Sequence, residues 1–217
     1  MRKQSRPPMP EFLETNGPRW NQQWAELKSR SPSASFAWYS IDGQTARELL
    51  LDHLGSMNQN HCSFCDGFPL EGTSKTPIEH FRPKSIYHSE AYSWENLYYS
   101  CECCQAEKRE QWDELLLRPD APDYEFTTCF AFDFTTGAII GNPVADPETR
   151  TRAEKTISIY GLDDEMRRRR RKLELRRWQR SSSPFIDEWG YRDFLELDPE
   201  QSESAAPGES ASGPDET

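Results

Sequence analysis

The sequence predicts an α+β fold that is mainly helical, with a small zinc-clasped centre and a C-terminal β-hairpin followed by helices. Three observations lead there. Two Cys-x-x-Cys pairs, Cys62/Cys65 and Cys101/Cys104, have the spacing of a tetrahedral four-cysteine zinc site with Zn–S about 2.3 Å. Apolar residues recur at helical spacing, as in Trp20, Trp24 and Leu27. Residues 127–134 (TTCFAFDF) alternate like a strand and run into Thr136-Gly137, a hairpin turn leading to 138–140. The chain divides accordingly into an N-terminal arm and helices (1–60), a zinc module (61–115), a hairpin with helices (116–197) and an acidic tail (198–217).

Taken in order, residues 1–18 carry Pro and Arg and predict an extended arm. Residues 19–30 predict an amphipathic helix whose start is marked by Gly17-Pro18. Residues 31–35 are a Ser/Pro loop. A second helix is expected over 43–57, with Asp42 as N-cap and a stripe of Ala46, Leu49, Leu50, His53 and Leu54. Residues 76–81 predict one strand of a short hairpin, with His80 near its end. Residues 85–95 mix aromatic and polar side chains without a period and predict a loop. Residues 101–112 are helical in composition, placing Gln105 and Lys108 on one face. Residues 115–126 are extended and punctuated by Pro. Residues 147–160 form a helix closed by Gly161. A long helix over 163–180 is capped by acids and strongly basic after Met166. Residues 184–197 predict a short aromatic helix or docking segment. From Asp198 on there are six acids and no base, a composition that predicts disorder.

Composition bounds the function. The chain has 217 residues, 35% hydrophobic and 29% charged, and its mean hydropathy is -0.92, so any core is thin. No apolar run is long enough to cross a membrane, and the start has no secretory apolar region. Six cysteines in such a chain favour metal over disulfides and a reducing, cytoplasmic setting. The net charge of -11 is the wrong sign for a free-standing nucleic-acid binder, which leaves a local basic surface or a basic partner to supply that contact. The strongest basic run is 167–172 with Arg176, Arg177 and Arg180. Its residues fan around a helix, so part must point inward or toward a partner, with nucleic acid, an acidic partner surface and solvent as the alternatives for the run.

Between the Cys pairs lies a polar cluster suited to phosphodiester hydrolysis, which needs a base, a cation and positioning. His80 can be the base, because neutral imidazole titrates near pH 7. Glu79 and Gln105 offer hard oxygen ligands to Mg2+ or Mn2+. Asn96 can orient the imidazole. Arg82, Lys84 and Lys108 are the cations placed to bind nucleic acid, with pairing to local acids as the alternative for Arg82 and Lys84. His53 reads as a core residue on its stripe, His61 as a hydrogen-bonding neighbour of the knuckle and His88 as solvated. Cys103 and Cys129 read as buried bystanders. Trp94, Tyr98 and Tyr99 read as core around the knuckle.

These residues together resemble the HNH nuclease superfamily with its ββα-metal centre. The resemblance rests on Cys62/Cys65, Glu79-His80 with Pro83, Asn96-Leu97, Cys101/Cys104-Gln105 and Lys108. Within it, EHFRPKS, WENLYYSC, LLLRPDAPD and GLDDEMRRRRRK resemble the HNH proteins of Septu and retron anti-phage systems, over about 50–172. The resemblance implies Glu79 as metal ligand, His80 as general base and Asn96 as orienting residue. It implies an ABC-type ATPase partner, DNA or tRNA as substrate and, in retron systems, a reverse transcriptase–ncDNA complex. Gln105 departs from the pattern, which has Asn or His at that position. The rival expectation is a zinc-clasped adaptor subunit without catalysis.

Overall fold

The computed structural model describes residues 1–70 and 78–199. It is a mixed α/β structure, mostly helical, with three two-stranded antiparallel sheets among the described residues. The elements are α1 (Glu11–Arg30), β1 (Ser40–Ile41), β2 (Gln44–Thr45), α2 (Ala46–Ser56), β3 (Ile78–His80), β4 (Leu97–Tyr99) and α3 (Glu102–Lys108). There follow α4 (Phe126–Cys129), β5 (Phe130–Asp133), β6 (Ala138–Gly141), α5 (Pro147–Tyr160), α6 (Glu165–Trp178) and α7 (Arg192–Glu196).

The first helix begins eight residues earlier than Arg19, at Glu11, behind Pro10 and with Glu11 and Glu14 in its first turn. Gly17-Pro18 therefore lies inside it. Pro18 removes one helical hydrogen bond, while Gly17 lets the helix approach the Tyr92 carbonyl, which a Cβ would meet at 3.3 Å. Trp20 and Trp24 are buried as the periodicity requires, but Leu27 is 44% exposed. The arm before the helix is extended yet bound to the body. Arg6 donates to Asp120 (2.6 Å) and to the carbonyls of Trp94 (2.6 Å) and Leu97 (3.1 Å), with its guanidinium over the Tyr98 ring.

Asp42 is not a helix cap. Asp42 (φ 49) and Gly43 (φ 86) make the tight turn between β1 and β2. Thr45 caps α2 instead, in a reciprocal capping box with Glu48. Ala46, Leu50 and Leu54 face the core, whereas His53 is exposed rather than a core residue.

β3 pairs with β4 in the register Ile78↔Tyr99, Glu79↔Tyr98, His80↔Leu97. Residues 76 and 77 of the expected strand lie outside the described residues. The loop from β3 to β4 contains two short 3-10 turns, His88–Glu90 and Trp94–Asn96. The strand expected over 127–134 is half helix: α4 comes first, and β5 starts only at Phe130. Cys129 is buried at that helix end, and Cys103 is exposed rather than buried.

α5 has the bounds its sequence predicts. Asp146 accepts from the amides of Glu148 and Thr149, Pro147 opens the helix, and Gly161 closes it at φ 58. α6 starts behind Asp164, whose side chain accepts from the Met166 amide. Its run of basic residues divides. Arg167 and Arg171 turn inward with Leu175, while Arg169, Arg170, Arg176, Arg177 and Arg180 are exposed. Arg171 donates to the carbonyls of Gly137 (2.6 Å) and Leu162 (3.0 Å), fixing the β5–β6 turn on α6. Gly137 sits at φ 77 with the Arg168 carbonyl 2.5 Å from where a Cβ would lie, so only glycine fits.

α7 closes the fold against the first Cys pair. Arg192, 1% exposed, binds Asp66 Oδ1 (2.7 Å), Gln59 (2.7 Å) and Asp187 (2.6 Å). Asp66 is itself 3% exposed, so Arg192→Met strands a buried carboxylate and should cost about 3 kcal/mol of stability. Urea titration followed by circular dichroism checks this; an unchanged midpoint would remove Arg192 as a strut. The acidic tail cannot start at Asp198, which is 3% exposed and accepts from Gln179 (3.0 Å). The disorder expected beyond it concerns residues 200–217, which lie outside the described residues.

Candidate functional site

The first Cys pair sits on a tight turn. The Asp66 amide donates to the Cys62 carbonyl (2.9 Å), and the Cys62 amide donates to the Gly67 carbonyl (3.1 Å). Asp66 takes φ 58 there. The second pair opens α3, where Cys101 caps the helix by accepting from the Cys104 amide (3.3 Å). The Cys101 amide in turn donates to Cys62 Sγ (3.3 Å). All four sulfurs lie within 4.8 Å of one another. Cys62–Cys104 and Cys65–Cys101 are both separated by 3.7 Å. A tetrahedral centre with 2.3 Å Zn–S bonds needs sulfurs about 3.8 Å apart, so this cluster could hold a metal ion such as zinc. It is the one such group of His, Cys, Asp or Glu among the described residues.

The surroundings favour a thiolate at some of these positions and not at others: burial pushes the Cys104 thiol well above its usual range, and, against the Cys104 hydrogen bond, the facing Cys62 and Cys65 push Cys101 up. Hydrogen bonds from Cys101, Cys104 and Cys62 hold the Cys65 thiol well below its usual range, with the Arg167 charge adding to them. Arg167 points its guanidinium at Cys104 Sγ (3.2 Å) and also binds the Tyr160 carbonyl. Burial disfavours the Arg167 charge, but the facing cysteines outweigh it and raise the guanidinium above its ordinary value. Four thiolates around a divalent ion carry a net charge of about -2, which a buried guanidinium partly offsets. Cys103 faces solvent, so it does not compete for the cluster. His61 bonds through Nδ1 with the carbonyl of Asn58 (3.0 Å) and through Nε2 with that of Trp189 (2.9 Å), as a hydrogen-bonding neighbour.

Beside the cluster, Glu79, His80, Pro83, Lys84, Gln105, Arg109 and Glu110 line a cleft of ≈ 240 Å³. His80 is 5% exposed. Its Nε2 meets the Ala91 carbonyl at 3.0 Å. A carbonyl only accepts, so Nε2 carries the proton, and in the neutral ring Nδ1 keeps the lone pair. Burial, with Lys84 nearby, pushes the imidazole well below its ordinary value and keeps it neutral. Trp38 stacks on the ring (5.6 Å, 22°), and Phe36 meets it edge-on (5.3 Å, 80°). Both aromatics precede β1, far from His80 in sequence, and nothing local in the sequence marks them.

Asn96 does not bond the imidazole. Its Oδ1 accepts from the Arg82 amide (2.7 Å), and its Nδ2 donates to the carbonyls of Arg82 and Glu90 (both 3.0 Å). It therefore pins the loop that carries Ala91 and reaches His80 only through that loop.

Glu79 is buried and bonded to Lys108 Nζ at 2.7 Å. Burial raises the carboxyl above its usual range, with the Lys108 charge opposing. Lys108 is 0% exposed and also donates to the His80 carbonyl (2.9 Å). It cannot touch nucleic acid; it is a strut between α3 and β3. The helix ends at Lys108, the chain turns at Arg109 (φ 49), and this exposed arginine lines the cleft in the place expected for Lys108. The shorter helix is the reason: the composition of 101–112 predicts a continuing helix, and the turn after Lys108 redirects the next side chain. Arg82 is also elsewhere. It pairs with Glu90 (2.9 Å), lies over Tyr87 and Trp112, and lines a separate depression with Asn96 and Arg118. Lys84 does line the cleft. His88 is half-buried, bonded to the Ser85 carbonyl (2.7 Å) and set against Trp24. Trp94, Tyr98 and Tyr99 are buried in the core.

Gln105 donates its amide to the Ile78 carbonyl (3.3 Å), leaving its own carbonyl oxygen as the atom that could meet a cation. One carboxylate and one amide oxygen are the donor types a hard divalent ion takes. Lys108 is its competitor for Glu79. No described helix is long and apolar enough to cross a membrane. Neither the protein-family models nor the curated proteins contain a match to this chain.

Proposed function

We propose that this chain is a metal-dependent endonuclease of the HNH type, with a structural zinc on Cys62, Cys65, Cys101 and Cys104 and a ββα-metal centre formed by β3, β4 and α3. The observation that carries the reading is the neutral His80, held by the Ala91 carbonyl through Nε2 in a cleft that also contains Glu79 and Gln105. His80 Nδ1 takes the proton from an attacking water. Lys84 and Arg109 attract the phosphate, and Asn96 fixes the loop behind the imidazole. A Mg2+ or Mn2+ ion on Glu79 and Gln105 would supply the Lewis acid that stabilises the leaving oxygen. In this reading the chain is the effector of an anti-phage system with an ABC-type ATPase partner, cutting DNA or tRNA. Incubating the protein with plasmid and with total tRNA, with and without Mn2+, tests it; no metal-dependent cleavage of either would sink it.

One observation favours the second reading, a non-catalytic adaptor: the Glu79–Lys108 ion pair already neutralises the expected ligand. Two substitutions separate the readings. Glu79→Ala would leave a buried ammonium and is expected to unfold the site. Glu79→Gln keeps a bond to Lys108 and should lower the rate, with recovery at high Mn2+. Gln105→Asn restores the superfamily residue and should preserve or raise cleavage. If only the Asn variant cuts, the wild type is an adaptor.

A further inference from the structure

The run of basic residues on α6 is not one surface but two, and the outer one has a chemistry of its own. Arg167, Arg171 and Leu175 fix the roll of the helix by turning inward. At 3.6 residues per turn Arg169 and Arg176 lie opposite them, with Arg170 and Arg177 on the flank and Arg180 in the turn that follows. All five are exposed. They extend over roughly 16 Å at 1.5 Å per residue, a length along which duplex DNA presents on the order of nine phosphates. Arg169 pairs with Glu165 largely in solvent, and Arg177 pairs with the mostly buried Glu174 (3.4 Å). Arg170, Arg176 and Arg180 have no acidic partner among the described residues. The face therefore gathers positive charge on a chain whose net charge is -11.

We infer that this outer face of α6 binds the phosphate backbone of nucleic acid. A protein partner is disfavoured by what the face lacks. Its large exposed apolar residue is Met166, near the start of the helix, whereas protein interfaces centre on desolvated aromatic or apolar anchors. Guanidinium forks match phosphate oxygens. The contact carries affinity, not sequence preference. The inference rests on the nuclease reading only for the identity of the anion.

The test uses the full chain carrying His80→Ala, without added divalent ions, so that nothing is cut. Binding to a labelled 20-bp DNA duplex and to tRNA is followed by fluorescence anisotropy over a salt series. Arg170→Gln, Arg176→Gln and Arg180→Gln together should weaken binding by at least tenfold at low salt. On duplex DNA the salt slope should fall by about 2.7, close to 0.9 per lost phosphate contact. The duplex and tRNA arms show which nucleic acid is preferred. A control with the same charge change, Arg19→Gln, Arg30→Gln and Arg47→Gln, should leave the slope unaltered. Bound duplex should also shield Arg170, Arg176 and Arg180 from phenylglyoxal in the His80→Ala parent, a readout that needs no α6 variant. An unchanged slope, an equal loss in the control, or absence of shielding overturns the inference. Equal competition by poly-glutamate does so as well, in favour of an acidic protein. Binding through α6 without cleavage by the wild type would remove the nuclease reading alone; cleavage with an unaltered slope would remove this surface alone.

Discussion

Cys62→Ser should give a chain that neither retains metal nor folds. Cys62 lies 3.7 Å from Cys104, and its sulfur accepts the Cys101 amide. Losing one thiolate opens a tetrahedral site and weakens the tie between the loop before β3 and the helix after β4. Structural zinc contributes roughly 10–16 kcal/mol in small modules, against a typical total stability of about 5–15 kcal/mol. The loss is compounded at Arg167, 8% exposed, whose guanidinium faces the same cluster. Metal content by mass spectrometry and the circular dichroism spectrum of the purified variant check the result. A folded, metal-free Cys62→Ser protein would contradict it, as would metal-free but folded wild type.

His80→Ala should lower cleavage by about 10²–10⁴-fold, the usual contribution of a general base. It should not be silent in stability, because the ring is buried between Trp38, Phe36 and the Ala91 carbonyl. The vacated space should cost about 2 kcal/mol, leaving zinc bound and most of the protein folded at 25 °C. Free imidazole can fill that space and should restore part of the rate, which a folding defect would not explain. The depressed pKa adds a pH signature. In the folded chain the imidazole stays neutral below its usual value of about 6.5, so the base remains competent through that range. The unfolded chain takes up the proton first as pH falls past about 6.5, so His80's contribution to stability declines on acidification from there. Cleavage that halves near pH 6.5, or full activity in His80→Ala, would refute the assignment.

What the sequence could disclose depended on how far apart the responsible residues lie. α5 was legible to both ends because Asp146, Pro147 and Gly161 encode its limits locally. The Cys cluster was legible because its spacing is itself the chemistry. α1 was not, since Gly17-Pro18 reads as a break, whereas a buried face with Leu13, Trp20 and Trp24 outweighs one missing hydrogen bond. Asp42 was expected as a cap, but positive φ at Asp42 and Gly43 puts both in a turn instead. Lys108 gave no local sign that it would be buried, because its partner, Glu79, comes from another element 29 residues away. Trp38 was silent for the same reason. That part of the basic run on α6 would point inward or toward a partner was expected, but that Arg167 and Arg171 are the inward pair depended on the Cys104 sulfur and the Gly137 carbonyl, 63 and 34 residues away.

The lock on the first Cys pair also has a temporal consequence. Asp66 is held by Arg192, 126 residues later, and His61 by the Trp189 carbonyl, 128 residues later. Arg2 likewise meets Asp193 (3.1 Å) and Glu196 (2.5 Å). At translation rates of 5–20 residues per second, roughly 4–18 s separate synthesis of Cys104 from that of Arg192. During that interval all four thiols exist but the α7 brace does not. For those seconds His61 and Asp66, which flank the first Cys pair, lack their partners at 189 and 192. Contacts of such long range also slow the final closure, so a ribosome paused before residue 189 would hold the loop of the first Cys pair without these two ties.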